Sequence, residues 1–121
     1  MTTHATIALC LDEVNCTITH SHYDGYPQHV GHVLIGHYSS TEAVERLMDA
    51  GEIRSFETDG TFDQFDDSQE SYVVRIHELE NMDGYDYTYL WNGKEWLILT
   101  RNTYGSPLTW KSLTEILERT A

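Results

Sequence analysis

Residues 19–38 constrain the fold more than any other part of this 121-residue chain. The segment reads Thr19-His20-Ser21-His22-Tyr23-Asp24-Gly25-Tyr26-Pro27-Gln28-His29-Val30-Gly31-His32-Val33-Leu34-Ile35-Gly36-His37-Tyr38. Five of the seven histidines and three tyrosines fall within it. Cys16 to Tyr23 alternates as a strand, with Cys16, Ile18, His20 and His22 on one face. Asp24-Gly25 and Tyr26-Pro27 then break the chain, and Val30, Val33 and Leu34 resume at helical spacing. A strand must therefore turn sharply into a helix and hold a knot of imidazoles and phenols at the bend. Such a junction is a candidate site, because rigid elements on both sides hold its side chains still.

The flanking chain supplies a scaffold. Thr6 to Leu11 reads as a central strand, apolar or small on both faces, and Asp12 to Asn15 as the turn of a hairpin with Cys16 to Tyr23. Gly31 and Gly36 each weaken the following helix by about 1 kcal/mol relative to alanine, so a packing contact or a close ligand must offset them. Ser39-Ser40-Thr41-Glu42 restarts a helix that ends at Gly51, with Glu42 and Arg46 placed to pair. Tyr72 to Leu79, Tyr85 to Trp91 and Lys94 to Thr100 read as three further strands, the last two joined at Asn92-Gly93. A two-residue turn there sets Trp91 opposite Lys94, Tyr89 opposite Trp96, Tyr87 opposite Ile98 and Tyr85 opposite Thr100. One face of that hairpin is an aromatic comb, read as a core layer in preference to a stacking platform. Ser106-Pro107 could cap the last helix, but Ser112-Leu113-Thr114-Glu115 makes the better capping box. The expected fold is one α+β domain over residues 1–121, with an antiparallel sheet of about five strands. Two short helices follow the first hairpin and one closes the chain.

Charge narrows the partners. Twenty acidic residues against seven basic ones give a net −13, and Lys94 and Lys111 are the only lysines. Direct nucleic-acid and anionic-membrane binding are disfavoured; a cationic protein partner is favoured. Protonating all seven histidines would bring the formal charge to −6, so the surface changes near pH 6. Residues 57–70 read as a solvated acidic loop pinned by Phe62 and Phe65, and lack the carboxylate spacing of a calcium loop. No apolar run reaches the roughly 18 residues of a membrane helix, and the first residues show no secretory pattern. A cytoplasmic location is expected, with Cys10 and Cys16 as buried free thiols, although a disulfide across the turn is geometrically open.

Chemistry has one weak motif. His20-Ser21-His22-Tyr23-Asp24 resembles the His-x-His-x-Asp pattern of metallo-hydrolases, which makes His20, His22 and Asp24 candidate metal ligands. The pattern breaks at Gly25, and imidazoles bonded to the turn backbone are the preferred explanation. No nucleophile elbow, Walker loop or dinucleotide fingerprint is present, so enzyme activity has no support beyond the histidine cluster and no cofactor is implied.

The chain also resembles a set of small proteins of tailed bacteriophages and prophages. The resemblance rests on His22-Tyr23-Asp24-Gly25-Tyr26, on Gly31 opening a helix that ends in His37-Tyr38, and on Val44, Leu47 and Gly51 of the next helix. Its C-terminal part is the Tyr87-Thr88-Tyr89-Leu90-Trp91-Asn92-Gly93-Lys94-Glu95-Trp96 hairpin. Ser21-His22-Tyr23 and Gly36 depart from the Cys-His-Trp and Glu common in that set, which argues against a strict metal or acid–base role at positions 21 and 36. The resemblance implies a phage-encoded accessory protein in the host cytoplasm that neutralises a host defence or retunes a host enzyme. The expected role is a non-catalytic inhibitor of a host protein with a cationic surface, through acidic mimicry of nucleic acid. The binding residues would be His20, His22, Tyr23, Asp24, Tyr26, Gly31, His37 and Tyr38. Two alternatives stand beside it: a sponge for a nucleotide immune signal, with a pocket at a homo-oligomer interface, and a small metal-dependent hydrolase.

Overall fold

A computed structural model describes residues 3–81, 86–100 and 109–120, with residues 100, 119 and 120 described by their backbone alone. Strand β1 (Ala5–Leu9) pairs antiparallel with β2 (Asn15–Ser21), as the alternation predicts. A π-helical turn, Pro27–Gly31, runs into α1 (His32–His37), and α2 (Thr41–Ala50) follows. The Ser40 hydroxyl accepts from the Ala43 amide at the start of α2, and Gly51 ends it at a φ of 85°. Glu42 and Arg46 do not form the expected ion pair.

A small hairpin, β3 (Ser55–Phe56) with β4 (Phe62–Asp63), forms inside the acidic stretch. Strand β5 (Tyr72–Arg75) gives way to helix α3 (Ile76–Glu80). The hairpin β6 (Tyr87–Trp91) and β7 (Trp96–Thr100), strand β8 (Thr109–Ser112) and helix α4 (Leu113–Thr120) complete the chain. The main sheet has six strands in the order β5-β2-β1-β6-β7-β8, and β3-β4 form a second, two-stranded sheet.

Four expectations are corrected. The sheet is mixed, because β1 pairs parallel with β6; only the remaining pairs are antiparallel. The segment 72–79 is a strand only to Arg75, because the Glu78 carboxylate accepts from the Arg75 amide and starts a helix that buries Leu79. The β6–β7 turn is centred one residue later than Asn92-Gly93. The Asn92 side chain accepts from the Lys94 and Glu95 amides, and Gly93, at a φ of 95°, takes the first central position. Tyr89 therefore faces Ile98, and Trp91 faces Trp96. The slip is by two positions along the partner strand, so the faces are preserved. Tyr85, and the Ser106-Pro107 cap, lie outside the described residues.

The fourth correction concerns the cysteines. The register sets Cys10 opposite Cys16 just beyond the last β1–β2 pair, with Cα atoms 4.4 Å apart, and they form a disulfide. The Cys10 amide points away from Cys16, to the Trp91 carbonyl, leaving a close non-hydrogen-bonded pair suited to bridging.

The sheet buries both faces. On one, Ala5, Ile7, Tyr89, Trp91, Trp96 and Ile98 pack under α1, α2 and α4. On the other, Ala8, Cys10, Cys16, Ile18 and Leu90 pack against Leu79 of α3. The aromatic comb is thus part of the core. Its polar tips reach through the apolar layer: the Tyr89 hydroxyl donates to the Gly25 carbonyl at 2.6 Å. The Trp91 indole donates to the Thr41 hydroxyl, and that of Trp96 to the Tyr38 carbonyl, both at 3.0 Å. Gly31 repays its helix cost in packing, since a Cβ there would lie 3.3 Å from a Leu113 methyl of α4. Gly36 has no such neighbour.

Burial pushes the Tyr89 phenol far up, so it stays a neutral donor. Replacing it tests the comb directly. Tyr89→Phe strands the buried Gly25 carbonyl and should cost about 1–3 kcal/mol, read as a drop of several degrees in thermal melting.

Candidate functional site

Strand β2 ends at Ser21, and residues 52–54 come alongside it as a short parallel extension of the sheet. The His22 amide donates to the Ile53 carbonyl, the Tyr23 amide to that of Arg54, and the Ile53 amide to that of His20. The turn that follows is fixed by Asp24, the one non-glycine among the described residues with positive φ, at 54°. Asp tolerates this left-handed geometry better than most residues. Gly25 then passes so close to β1 that a Cβ would sit 2.8 Å from the Ala5 Cβ. Only glycine fits there.

The turn separates residues that strict alternation would bring together. His20 points into the second core face and is buried. The Thr6 hydroxyl lies 3.2 Å from its Nδ1 and the Tyr72 hydroxyl 2.8 Å from its Nε2. Both partners can donate or accept, so the neutral ring is satisfied in either tautomer. His22 sits at the sheet edge, between the rings of His4 and Phe65, with Nε2 3.1 Å from Glu52 Oε2. That contact is close enough for an ion pair when the imidazole is protonated, but lies off the axis of a hydrogen bond. Asp24 does not join the two histidines. It lines an open cavity of about 320 Å³ with Tyr23, Arg54, Ser55 and Asp63. Among the described residues, no three His, Cys, Asp or Glu side chains are grouped to hold a metal ion.

The other residues of the block point at the acidic stretch, and here the arrangement becomes systematic. His29 Nε2 lies 2.8 Å from the Phe56 carbonyl, and His37 Nε2 lies 3.2 Å from that of Thr58. A carbonyl only accepts, so each Nε2 must carry a proton and donate. The Tyr38 hydroxyl donates to the Gly60 carbonyl at 2.6 Å. Burial raises the Tyr38 phenol, with Arg46 opposing, so it remains a donor. Gly60, at a φ of 91°, lies against the His37 ring so closely that a Cβ would meet it at 2.6 Å. At the far end, Phe65 packs edge-on against His22 and tilted against Tyr23, and the Arg54 guanidinium lies 5.9 Å from the ring centres of both Tyr23 and Phe65.

Residues 56–65 are therefore held by side chains from residues 22–38, not left as a loose loop. Phe65 is an anchor as expected, and Phe62 packs edge-on against Phe56. The carbonyls of Phe56, Thr58 and Gly60 do the rest, and no sequence pattern marks a backbone acceptor. Glu57, Asp59, Asp63, Asp66, Asp67 and Glu70 stay exposed. Tyr23 and Tyr26 are each 37% exposed beside them. Gly31 faces α4 and takes no part in this surface.

The expected binding residues thus fall into separate places. His20 is in the core, Tyr23 and Asp24 line one cavity, and His37 and Tyr38 line another with Arg46 and Phe62. No family model, curated protein or solved structure matches the chain. The fold and the site define an α+β protein with a mixed six-stranded sheet that displays a clamped acidic segment at one end. No helix among the described residues is long and apolar enough to cross a membrane.

His20 carries a pH signature. Desolvation pulls its pKa from 6.5 down to about 4; Glu52 opposes this, and His22 and His4 add to it. The folded state then binds fewer protons than the unfolded state between those values. Stability from the neutral ring is complete above about pH 6.5 and drains away as pH falls towards 4. Thermal melts of wild type and His20→Gln should show this as a difference: the variant loses less stability across that window. Parallel curves would contradict it.

Proposed function

We propose that the protein is a non-catalytic binding protein that presents a rigid, carboxylate-rich surface to a cationic partner. The observation that carries the reading is the clamp. Ten of the twenty acidic residues lie in residues 42–70 against two arginines, Arg46 and Arg54, a net −8 of the total −13. Carboxylates on a floppy loop would lose much of their attraction to the entropy of ordering on binding. Here His29, His37 and Tyr38 hold the carbonyls of Phe56, Thr58 and Gly60, and so the backbone that bears Glu57 and Asp59, before any partner arrives.

A fixed array of carboxylates can stand where phosphates of a nucleic acid would sit, and so occupy a groove built for DNA or RNA. Together with the resemblance to small phage proteins, this supports reading the chain as a phage accessory factor that blocks a nucleic-acid-binding host protein, in defence or in takeover. A reducing host cytoplasm would open the Cys10–Cys16 bridge. The hairpin it spans also rests on the β1–β2 ladder, so the reading does not depend on the bridge.

The test is capture from bacterial lysate on immobilised protein, at low and at high salt. Nucleic-acid-binding proteins should be retained at low salt, displaced by duplex DNA and released steeply as salt rises. Neutralising Asp63, Asp66 and Asp67 together to asparagine should weaken capture by about tenfold or more, equivalent to about 1.4 kcal/mol. Salt-insensitive capture, or a partner indifferent to DNA, would refute the proposal.

A further inference from the structure

Against the clamp lies an open cavity of about 420 Å³. It is lined by Tyr38, Arg46, Leu47, Asp59, Thr61 and Phe62, among others. Its volume falls within the range of small-molecule sites, about 300–1,000 Å³. Its walls come from three elements: the end of α1, α2 at Arg46 and Leu47, and the β3–β4 hairpin loop.

The polar groups around it are mostly committed. The Tyr38 hydroxyl is donated to Gly60, and the His37 Nε2 proton to Thr58. One oxygen of Asp59 accepts from both the amide and the hydroxyl of Thr61, at 3.0 and 2.6 Å. Two groups retain capacity. The Arg46 guanidinium is exposed and has no ion-pair partner among the described residues, although its helix neighbour Glu42 sits at pairing distance in sequence. The second oxygen of Asp59 is not used in the Thr61 contacts, which hold the carboxylate in place. The partly buried rings of Tyr38 and Phe62 supply the apolar remainder.

This pairing selects a ligand by elimination. A simple anion would suit Arg46 but would meet Asp59 and a surrounding segment of net −8. A simple cation would suit Asp59 and the aromatic rings but would meet Arg46. A small zwitterion brings no net charge into the field and leaves neither group facing its like. We propose that this cavity binds a small zwitterion carrying an ammonium and a carboxylate, the pattern of a free α-amino acid with an apolar side chain. Arg46 takes the carboxylate as a bidentate fork, Asp59 takes the ammonium, and the Tyr38 and Phe62 rings cover the apolar part. The inference does not depend on the cationic-partner reading, since it rests on Arg46 and Asp59 lining one cavity and not on Asp63, Asp66 and Asp67.

Isothermal titration and ligand-detected NMR with leucine and phenylalanine test it, each compared with its amide and its N-acetyl form. The free amino acid should bind, and losing either charge should weaken binding about tenfold or more, equivalent to about 1.4 kcal/mol. Arg46→Gln should erase the preference for the acid over the amide, and Asp59→Asn the preference for the free over the acetylated amine. Thermal melts confirm that both surface variants stay folded. Failure of both amino acids to bind at millimolar concentration, binding that ignores either charge, or wild-type binding by both variants would each overturn the proposal.

Discussion

The structure depends on hydrogen bonds from the tips of an aromatic comb. Tyr89 and Trp96 have their rings in the apolar layer between sheet and helices, where each contributes large buried area. Each carries one polar atom that must find a partner in that layer. Tyr89 finds the carbonyl of Gly25 and Trp96 that of Tyr38. These carbonyls stand at the turn and at the far end of the histidine-rich segment. The comb thus fixes both the bend and the exit of the segment, and its course between them follows from the π-helical turn and α1.

A second tier of hydrogen bonds is built on the first. Once residues 22–38 are fixed, His29, His37 and Tyr38 reach backbone carbonyls of 56–60, and Phe65 packs on the His22 and Tyr23 rings. A segment whose composition suggests solvated loop becomes an ordered ledge with its charges outward. The histidines are the means: a neutral imidazole can donate from Nε2 while its body packs as a flat, mostly apolar ring. His29 and His37 do that work, while Asp24 parts from His20 and His22 because its positive φ ends the alternation.

Much of this was legible in the residues. Period-two alternation located β1, β2 and the β6–β7 hairpin, and Ser40 and Gly51 marked the ends of α2. What escaped was decided by groups without a local signature. The parallel pairing of β1 with β6 joins residues about eighty apart, which alternation says nothing about. At Asn92, side-chain bonds to two amides outcompeted the two-residue turn that Asn-Gly otherwise favours. Strand β8 is only four residues long and merges into the capping sequence of α4 at Ser112. The alternation through Asp24 failed because a single positive φ ends it. The clamp itself is made with backbone carbonyls, and every residue carries one.

The most direct test of this account is native-state hydrogen exchange across residues 52–65. The Arg54 and Glu57 amides donate to Asp63 and Thr61 within the ledge. The account predicts that they are protected in the wild-type protein and lose that protection in a His29→Ala, Tyr38→Phe double variant, while β1 and β6 amides keep theirs. Exchange of the ledge amides at free-chain rates in the wild type, or unchanged protection in the variant, would contradict it.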